Sequence, residues 1–249
     1  MKTCFQIIFI LISSFLFLGN GCSQRVYQNI LKYDSPTPLV YEVKIDTNKI
    51  NSFVATDFGT MKGQYEGEKV DLVRIGYTSS TTKKHFVFNQ QISIYGGRYF
   101  VNGLGPQTGT NYTDKNYDGN KYAFGLNGSI KAGVNFNFNG FRFGLGIEPM
   151  VVSEFGEFVT FRIEASDEGI IKNDDGYFNF LITFYPYFSY EFDESKIIGL
   201  QINVGYPGGL SPIISYQSGS NIFWVGYYSD FSRLNIGYMI DFNSIKSIF

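Results

Sequence analysis

Cysteine, histidine and long apolar runs are scarce in this chain of 249 residues, which contains two cysteines and one histidine. Cys4 lies in an N-terminal segment that we expect to be removed, so the mature chain has no pair of cysteines for an intramolecular disulfide. The single histidine, His85, excludes any site that needs two. After the N-terminus, no apolar run approaches the roughly 20 residues of a membrane helix. The net charge of −2, without a basic cluster, excludes a generic nucleic-acid binder.

Residues 1–21 have the composition of an export signal. Lys2 supplies a positive charge, and the stretch from Ile7 to Leu18 is apolar. Cys22 follows directly, and the arrangement resembles a bacterial lipoprotein signal, in which the lipidated cysteine becomes the mature N-terminus. That family places Leu three residues before the cysteine, whereas Gly19 stands there in this chain. The sequence therefore predicts export, and both lipidation of Cys22 and ordinary cleavage nearby stay open.

Aromatic residues make up 18% of the chain, and many stand in segments where apolar residues alternate with polar or small ones. The clearest segment runs from Tyr122 to Phe138, and the alternation resumes at Phe141 after Asn139-Gly140. Alternation predicts strands with one apolar face, and Asn-Gly predicts a two-residue hairpin because both residues tolerate positive φ. The resulting register pairs Phe138 with Phe141, Phe136 with Phe143, Val134 with Leu145, Ala132 with Ile147, Asn137 with Arg142, Gly133 with Gly146, and Lys131 with Glu148.

The apolar face of this hairpin has aromatic side chains at both ends and aliphatic ones between them. Tyr122 and Phe124 lie at one end, and Phe136, Phe138 and Phe141 lie at the other. A soluble sheet has no reason for this distribution, whereas a membrane strand places aromatic rings at the two lipid–water interfaces. The hairpin therefore predicts a transmembrane strand pair.

Weaker alternation extends this pattern over the rest of the chain. The predicted fold class is all-β, an antiparallel transmembrane up-and-down barrel of about ten strands. Eight or twelve strands stay open, because the segment 153–176, expected as one outer excursion, contains a strand-like stretch. The other predicted strands are 52–59, 69–78, 85–100, 178–192, 198–206, 211–216, 221–229 and 233–243, with short turns at 79–83, 193–195 and 218–220 and a long loop at 102–120.

Loop lengths give the predicted barrel an orientation in the membrane. Outer-membrane barrels have short periplasmic turns, so the short turns and both termini are expected on the periplasmic side and the loop 102–120 outside. Residues 22–50 are interpreted as a periplasmic N-terminal tether, and residues 51–249 as the barrel.

The last predicted strand resembles the C-terminal insertion signal of outer-membrane β-barrel proteins. Asn235, Gly237, Ile240 and Phe242 occupy its polar, glycine, hydrophobic and aromatic positions. The family normally ends at the aromatic residue, whereas this chain continues to Phe249. The resemblance implies a barrel of the cell outer membrane, surrounded by its lipid and delivered by the barrel-insertion machinery.

Polar side chains of the predicted lumen are one candidate site. Lys131, Glu148, Asn137 and Arg142 are predicted to point inward, where such residues either line a selective pore or fill a narrow barrel. Filling is favoured for about ten strands, although inward glycines such as Gly237 keep a small aqueous path possible.

Two further candidates have ordinary explanations. Asp114, Asn116 and Asp118 match the first half of a calcium-binding loop, but Gly125 stands where the bidentate Glu belongs, which favours a turn-rich loop. His85 lies at a predicted strand start on the periplasmic side, and no G-x-S-x-G elbow accompanies it, so an ordinary rim residue is favoured over a catalytic one.

Three classes of function remain from the sequence. The favoured one is a non-enzymatic outer-membrane barrel that is structural, binds at the cell surface or forms a narrow polar pore. The alternatives are a barrel enzyme that acts on lipid or peptide, and an exported soluble β-barrel lipoprotein that binds an apolar ligand. No cofactor is expected, and the sequence does not identify an extracellular ligand.

Overall fold

A computed structural model describes residues 25–33, 37–40, 50–83, 85–106, 115–173, 175–193, 195–205, 209–228 and 233–246. Its elements in chain order are β1 (Arg25–Tyr27), a 3-10 helix (Ile30–Tyr33), β2 (Asn51–Lys62), β3 (Lys69–Lys83), β4 (Phe86–Val101), β5 (Gly119–Phe138), β6 (Phe141–Phe155), α1 (Glu157–Asp167), β7 (Ile171–Asn173), β8 (Phe178–Asp193), β9 (Lys196–Gly205), β10 (Gly209–Ser218), β11 (Asn221–Tyr228), β12 (Arg233–Asp241) and α2 (Phe242–Lys246).

Ten of these described strands, all except β1 and β7, form one closed antiparallel barrel. Each strand pairs with its neighbours in chain order, and β12 pairs with β2 to close the barrel. Closure removes every exposed sheet edge, which a sheet in lipid requires because no water is present to satisfy unpaired backbone groups. The predicted fold class and the number of strands are confirmed.

The hairpin of β5 and β6 has the register that the sequence predicts. Asn139 and Gly140 form its turn with φ of 48° and 80°, the left-handed conformation that such a turn requires. The confirmed pairs are Phe138 with Phe141, Asn137 with Arg142, Phe136 with Phe143, Val134 with Leu145, Gly133 with Gly146, and Ala132 with Ile147.

The two ends of the barrel differ in the length of their connections. At the turn end, pairs of residues join neighbouring strands at 84–85, 139–140, 194–195 and 219–220. At the loop end, the connections are 63–68, 102–118, 156–177, 206–208 and 229–232. The turn predicted at 79–83 is wrong, because β3 continues to Lys83. Ser80 and Thr82 are polar because they face the interior of the barrel, where both are buried.

Large apolar side chains cover the outer surface of the barrel, and Phe138, Leu145 and Phe178 are about 70% exposed. Aromatic side chains lie near both ends of the strands: Phe136, Phe138, Phe141 and Phe192 at the turn end, and Tyr122, Phe124, Phe155 and Phe178 at the loop end. Soluble monomers rarely expose contiguous apolar surface of this extent, whereas lipid is a favourable solvent for it. The chain therefore forms a transmembrane β-barrel.

Glycines on the inner wall make room for aromatic rings. A Cβ atom on Gly237 would overlap the indole of Trp224, and one on Gly144 would overlap the carbonyl of Val134 and lie 2.5 Å from the ring of Tyr187. Trp224 and Tyr187 are buried over these positions. The aqueous path considered from the sequence is thus occupied by side chains at these two glycines.

Replacing Gly237 by alanine should destabilise the barrel by about 1–3 kcal/mol, because the added methyl group forces the buried Trp224 ring to move. Trp224 is the single tryptophan, so denaturant unfolding followed by its fluorescence measures both the displacement and the stability. Refolding into detergent micelles keeps the measurement independent of insertion machinery. Gly128→Ala is the matched control, since its nearest neighbour would be a backbone oxygen at 3.9 Å. Equal denaturant midpoints for Gly237→Ala and Gly128→Ala would contradict the packing role of Gly237.

Candidate functional site

The N-terminal strap, defined as the described residues 25–33 and 37–40, lies inside the barrel and extends from the loop end to the turn end. The Arg25 guanidinium donates to the carbonyl of Asn102, in a loop-end connection, at 2.5 Å. Thr37 contacts polar side chains midway along the strands. Val40 belongs to an apolar cluster with Phe53, which lies near the turn-end start of β2.

These positions differ from the periplasmic tether that the sequence predicts for residues 22–50. Tyr27, Ile30, Leu31, Leu39 and Val40 are at most 1% exposed. A tether outside the barrel would leave these side chains in water, and burying a large apolar side chain is worth about 1.5–3 kcal/mol. The apolar residues of the segment therefore give it a physical reason to fold into the lumen.

Helix α1 fills the loop end of the barrel together with the strap. Phe158 stacks on Tyr99 of the wall, with ring centroids 4.6 Å apart, and Phe161 meets the edge of Tyr27 at 5.2 Å. Val159 and Ala165 are also buried. The sequence predicts one outer excursion at 153–176. A single connection, 156–177, joins β6 to β8 there, and its strand-like stretch is helical. No helix among the described residues is long and apolar enough to cross a membrane.

Glu68 holds the strap and the wall together at the loop end. One carboxylate oxygen accepts a hydrogen bond from the Tyr27 hydroxyl, and the other accepts one from Tyr99 at 2.6 Å. The Arg25 guanidinium lies 3.7 Å from the same carboxylate. Burial and the hydrogen bond to Glu68 raise the pKa of the Tyr27 phenol, so Tyr27 remains a donor at physiological pH.

A second acidic group, which we call the carboxylate clasp, consists of Glu154 and Asp175 bound to Arg162 of α1. Arg162 lies 2.5 Å from Glu154 and 3.9 Å from Asp175, and its side chain is fully buried. Glu154 also accepts the backbone N–H of Ile30 at 2.9 Å, and Asp175 accepts that of Asn29 at 2.5 Å. Lys32 of the strap also binds Asp175, at 2.6 Å. The clasp therefore joins α1, the barrel wall and the strap through Arg162 and Lys32.

Lys131 and Glu148 lie inside the barrel, 3.4 Å apart and at most 2% exposed as side chains. The Lys131 ammonium also donates to the carbonyl of Thr37 and, at 2.9 Å, to its hydroxyl. The Thr37 hydroxyl donates in turn to Gln91 at 2.7 Å. Ser129 donates to Glu148 at 2.8 Å. The ion pair therefore binds the strap at the middle of the lumen.

The other two predicted lumen residues lie near the turn end, away from this pair. Asn137 is exposed and stands opposite Arg142 in the ladder. Arg142 is buried, and its guanidinium lies 2.7 Å from Glu191. A further buried ion pair joins Arg74 to Asp57 at 2.8 Å, with Asn235 donating to the same aspartate at 3.3 Å.

The residues of the predicted insertion signal lie in different structural environments. Asn235 points into the lumen, and Gly237 makes room for Trp224. Ile240 is the last-but-one residue of β12, whereas Phe242 begins α2, where its ring meets Tyr77 at 6.1 Å. The aromatic position of the signal thus lies just beyond the strand.

The remaining candidates lie on the surface or outside the described residues. Asp118 accepts the N–H of Leu104 at 2.6 Å, and Asn116 accepts that of Asp118 at 2.9 Å, so both cap the loop backbone. Asp114 and Cys22 lie outside the described residues. Within the described part of the chain, no three His, Cys, Asp or Glu side chains are grouped to hold a metal ion. His85 is exposed at the turn end.

Glu68, Glu154 and Arg162 were not predicted as site residues from the sequence. Only Arg162 lies in a segment whose sequence pattern could have indicated its position. Phe158, Phe161 and Ala165 recur at helical spacing, which would have indicated an amphipathic helix with Arg162 on the same face. Isolated acidic residues such as Glu68 and Glu154 carry no such periodicity. Their partners come from distant segments, as with Glu154 and Ile30, which are 124 positions apart.

A closed barrel with an apolar outer wall, whose interior holds the strap and α1, defines the class of transmembrane β-barrels. No protein-family model and no curated protein sequence matches the chain. Among solved structures, it is similar to the outer membrane protein OprG from Pseudomonas aeruginosa, with 12% identity, 80% of this chain and 99% of that chain covered, and a TM-score of 0.38. It is also similar to the beta domain of the Bordetella autotransporter BrkA, with 10% identity, 78% and 99% covered, and a TM-score of 0.41.

Proposed function

We propose that the protein is a non-enzymatic, non-conducting barrel of the outer membrane whose function is carried by its loop end. The observation that supports closure best is the burial of the inward charged and amide side chains. Polar side chains that line an open channel must contact water, whereas these are nearly inaccessible to it. Those less than 5% exposed include Asp57, Arg74, Lys131, Glu148, Gln201 and Asn203.

The contrast between two-residue turns and longer loops supports a periplasmic turn end. In this orientation, β2 begins and β12 ends on the periplasmic side, within reach of the barrel-insertion machinery. The loop end then faces outward, where it offers a surface for an extracellular ligand.

A cleft of about 530 Å3 between the 115–121 segment and α1 supports a binding role for the loop end. Its lining combines the Phe161 ring with Lys121, whose ammonium lies 5.9 Å from the ring centroid, and with Glu157 and Glu164. Phe161 is only 3% exposed, so charged side chains of both signs form most of the accessible lining, which suits a polar ligand better than an apolar one. This favours surface binding over apolar-ligand transport.

Planar-bilayer recording tests the proposed closure. The intact protein should insert without steady ion-selective current, because the strap and α1 occupy the lumen. Heat-dependent gel mobility of the same sample establishes that the barrel has folded and inserted. A stable, charge-selective current from such a sample would overturn the closed-barrel proposal and restore the polar-pore hypothesis.

A further inference from the structure

The outer wall of the barrel carries a group of charged side chains at the loop end of β2, β3 and β4. Lys62 and Lys69 lie opposite each other in the ladder, and Asp71 lies opposite Arg98. Residues in directly opposite positions share one face of the sheet. Val70, which alternates with Lys69 and Asp71 along β3, is buried inside the barrel, so the four charged side chains are on the outer face.

Asp71 compensates only part of the positive charge of this group. Its carboxylate lies 3.2 Å from the Lys69 ammonium, also binds the Arg98 guanidinium, and accepts a hydrogen bond from the Thr60 hydroxyl at 2.7 Å. No carboxylate of the described residues forms an ion pair with Lys62, although Lys62 lies opposite Lys69. Like charges in directly opposite positions destabilise a sheet, and an anion bound between them offsets that repulsion.

A cleft of about 760 Å3 adjoins the connection 63–68 and is bordered by both Lys62 and Lys69. Of the two acidic residues in its lining, Glu68 is buried against the strap and Glu66 is exposed. Neither forms an ion pair with one of these two lysines within the described part of the chain. The cleft therefore gives an anion room beside the two ammonium groups.

The charged group lies at the level where the outer wall becomes apolar. Phe100 lies opposite Lys69, and Tyr122 lies opposite Arg98. The next outward side chain of β3 toward the turn end is Val73, which is apolar and exposed. Aromatic side chains mark the lipid–water interface of a membrane barrel. The three cations are therefore at the level of lipid headgroups.

The margin of the wall has a different composition in the rest of the barrel. Each of the other seven barrel strands presents an exposed aromatic or aliphatic side chain near its loop end: Tyr122, Phe155, Phe178, Val204, Leu210, Tyr227 and Leu234. The charged group thus occupies one sector of a margin that otherwise suits the hydrocarbon of the membrane.

We propose that Lys62, Lys69 and Arg98 bind the phosphate of an anionic lipid headgroup at the loop end of the barrel. The planar guanidinium offers several donors to phosphate oxygens, and the ammonium groups add compact positive charges. A lipid fits this position better than a soluble phosphate does, because its acyl chains lie along exposed apolar side chains such as Phe58 and Val73. The inference is independent of the closed lumen and of the orientation, since both leaflets contain headgroup phosphates.

Native mass spectrometry of the full-length protein in a neutral detergent, titrated with phosphatidic acid, tests this site. The wild type should retain one molecule of phosphatidic acid. Lys62→Gln with Lys69→Gln should weaken that binding about 25-fold, because each basic side chain near an anionic headgroup contributes about fivefold. Heat-dependent gel mobility shows that each variant folds.

Lys83→Gln with Lys196→Gln is the matched control, because it removes the same charge from exposed positions at the turn end. This control should bind phosphatidic acid as the wild type does. Phosphatidylcholine with the same acyl chains should bind more weakly to the wild type, since its headgroup carries no net charge.

Three results would overturn the proposal. Equal retention of the two lipids would show that the phosphate charge is not recognised. An equal loss of phosphatidic acid in the two double variants would show that it binds elsewhere. Displacement of phosphatidic acid by inorganic phosphate at the same concentration would show a site for a soluble anion and not for a lipid.

Discussion

Replacing Arg162 by methionine should lower the free energy of unfolding by about 3–5 kcal/mol and release the filling of the loop end. The guanidinium is fully buried beside Glu154, and Asp175 lies at 3.9 Å. Methionine fills much of the same volume but leaves Glu154 in a buried site without its cation, whereas Asp175 keeps the Lys32 ammonium at 2.6 Å. Glu154 also accepts the backbone N–H of Ile30, so the strap should loosen at Ile30 together with α1, although Lys32 still binds Asp175.

Two measurements follow this loss in the Arg162→Met variant. The temperature at which the heat-modifiable gel band disappears should fall, and protease should cut within residues 25–40 before it cuts the strands. In planar bilayers, the variant should show intermittent current that the intact protein lacks, because the loop end is no longer blocked. The variant should therefore lose three properties together: the closed lumen, the thermal stability of the barrel and the protection of the strap from protease.

Arg98→Met is the matched control for Arg162→Met. Arg98 also binds a carboxylate, that of Asp71, but its side chain is 40% exposed, and exposed ion pairs contribute little. For Arg98→Met, the temperature at which the heat-modifiable band disappears and the sites of protease cleavage should stay close to those of the wild type. Identical behaviour of the two variants would show that the carboxylate clasp does not hold the strap.

The barrel wall could be predicted because its causes are local. Alternation along β5 and the Asn139-Gly140 turn act over a few residues and fix both the inward face and the register. The same reasoning failed at 79–83, where a polar run was interpreted as a turn. In a membrane barrel the inward face is polar. Alternating polar residues such as Ser80 and Thr82 therefore indicate the lumen-facing side of a strand and not a loop.

The filling of the lumen could not be predicted in the same way, because its causes are contacts between distant segments. Leu39 and Val40 are apolar in a stretch without periodicity, and nothing local assigns them to Gln201 or to the turn-end cluster. Lys131 and Glu148 were predicted to face each other, and they do lie together. The hydrogen bond from Lys131 to Thr37, 94 positions away in the sequence, forms only when the strap lies in the lumen. Local sequence patterns thus predict the barrel wall, whereas the filling of the lumen depends on contacts between distant segments.

Replacing Lys131 by glutamate should destabilise the barrel by about 3–5 kcal/mol or more, since it places a second carboxylate against buried Glu148. It also removes the donors that bind the carbonyl and hydroxyl of Thr37, so the middle of the strap loses its anchor. Loss of the heat-modifiable band at a lower temperature, and protease cleavage near Thr37, measure the two effects. Lys196→Glu is the matched control, because Lys196 faces Asp193 at 3.1 Å but both side chains are about half exposed, where water screens the repulsion.

The charge-swapped variant, Lys131→Glu with Glu148→Lys, separates the ion pair from the strap contact. The swap restores opposite charges within the lumen, so it should recover part of the lost stability relative to Lys131→Glu alone. The ammonium then stands on β6, away from the carbonyl of Thr37, so protease should still cut the strap. Full recovery of both properties would show that the ion pair acts independently of Thr37, and no recovery of stability would show that like-charge repulsion is not the cause. A partial recovery in stability with a strap that stays cleavable is the result that identifies Lys131 as the link between wall and strap.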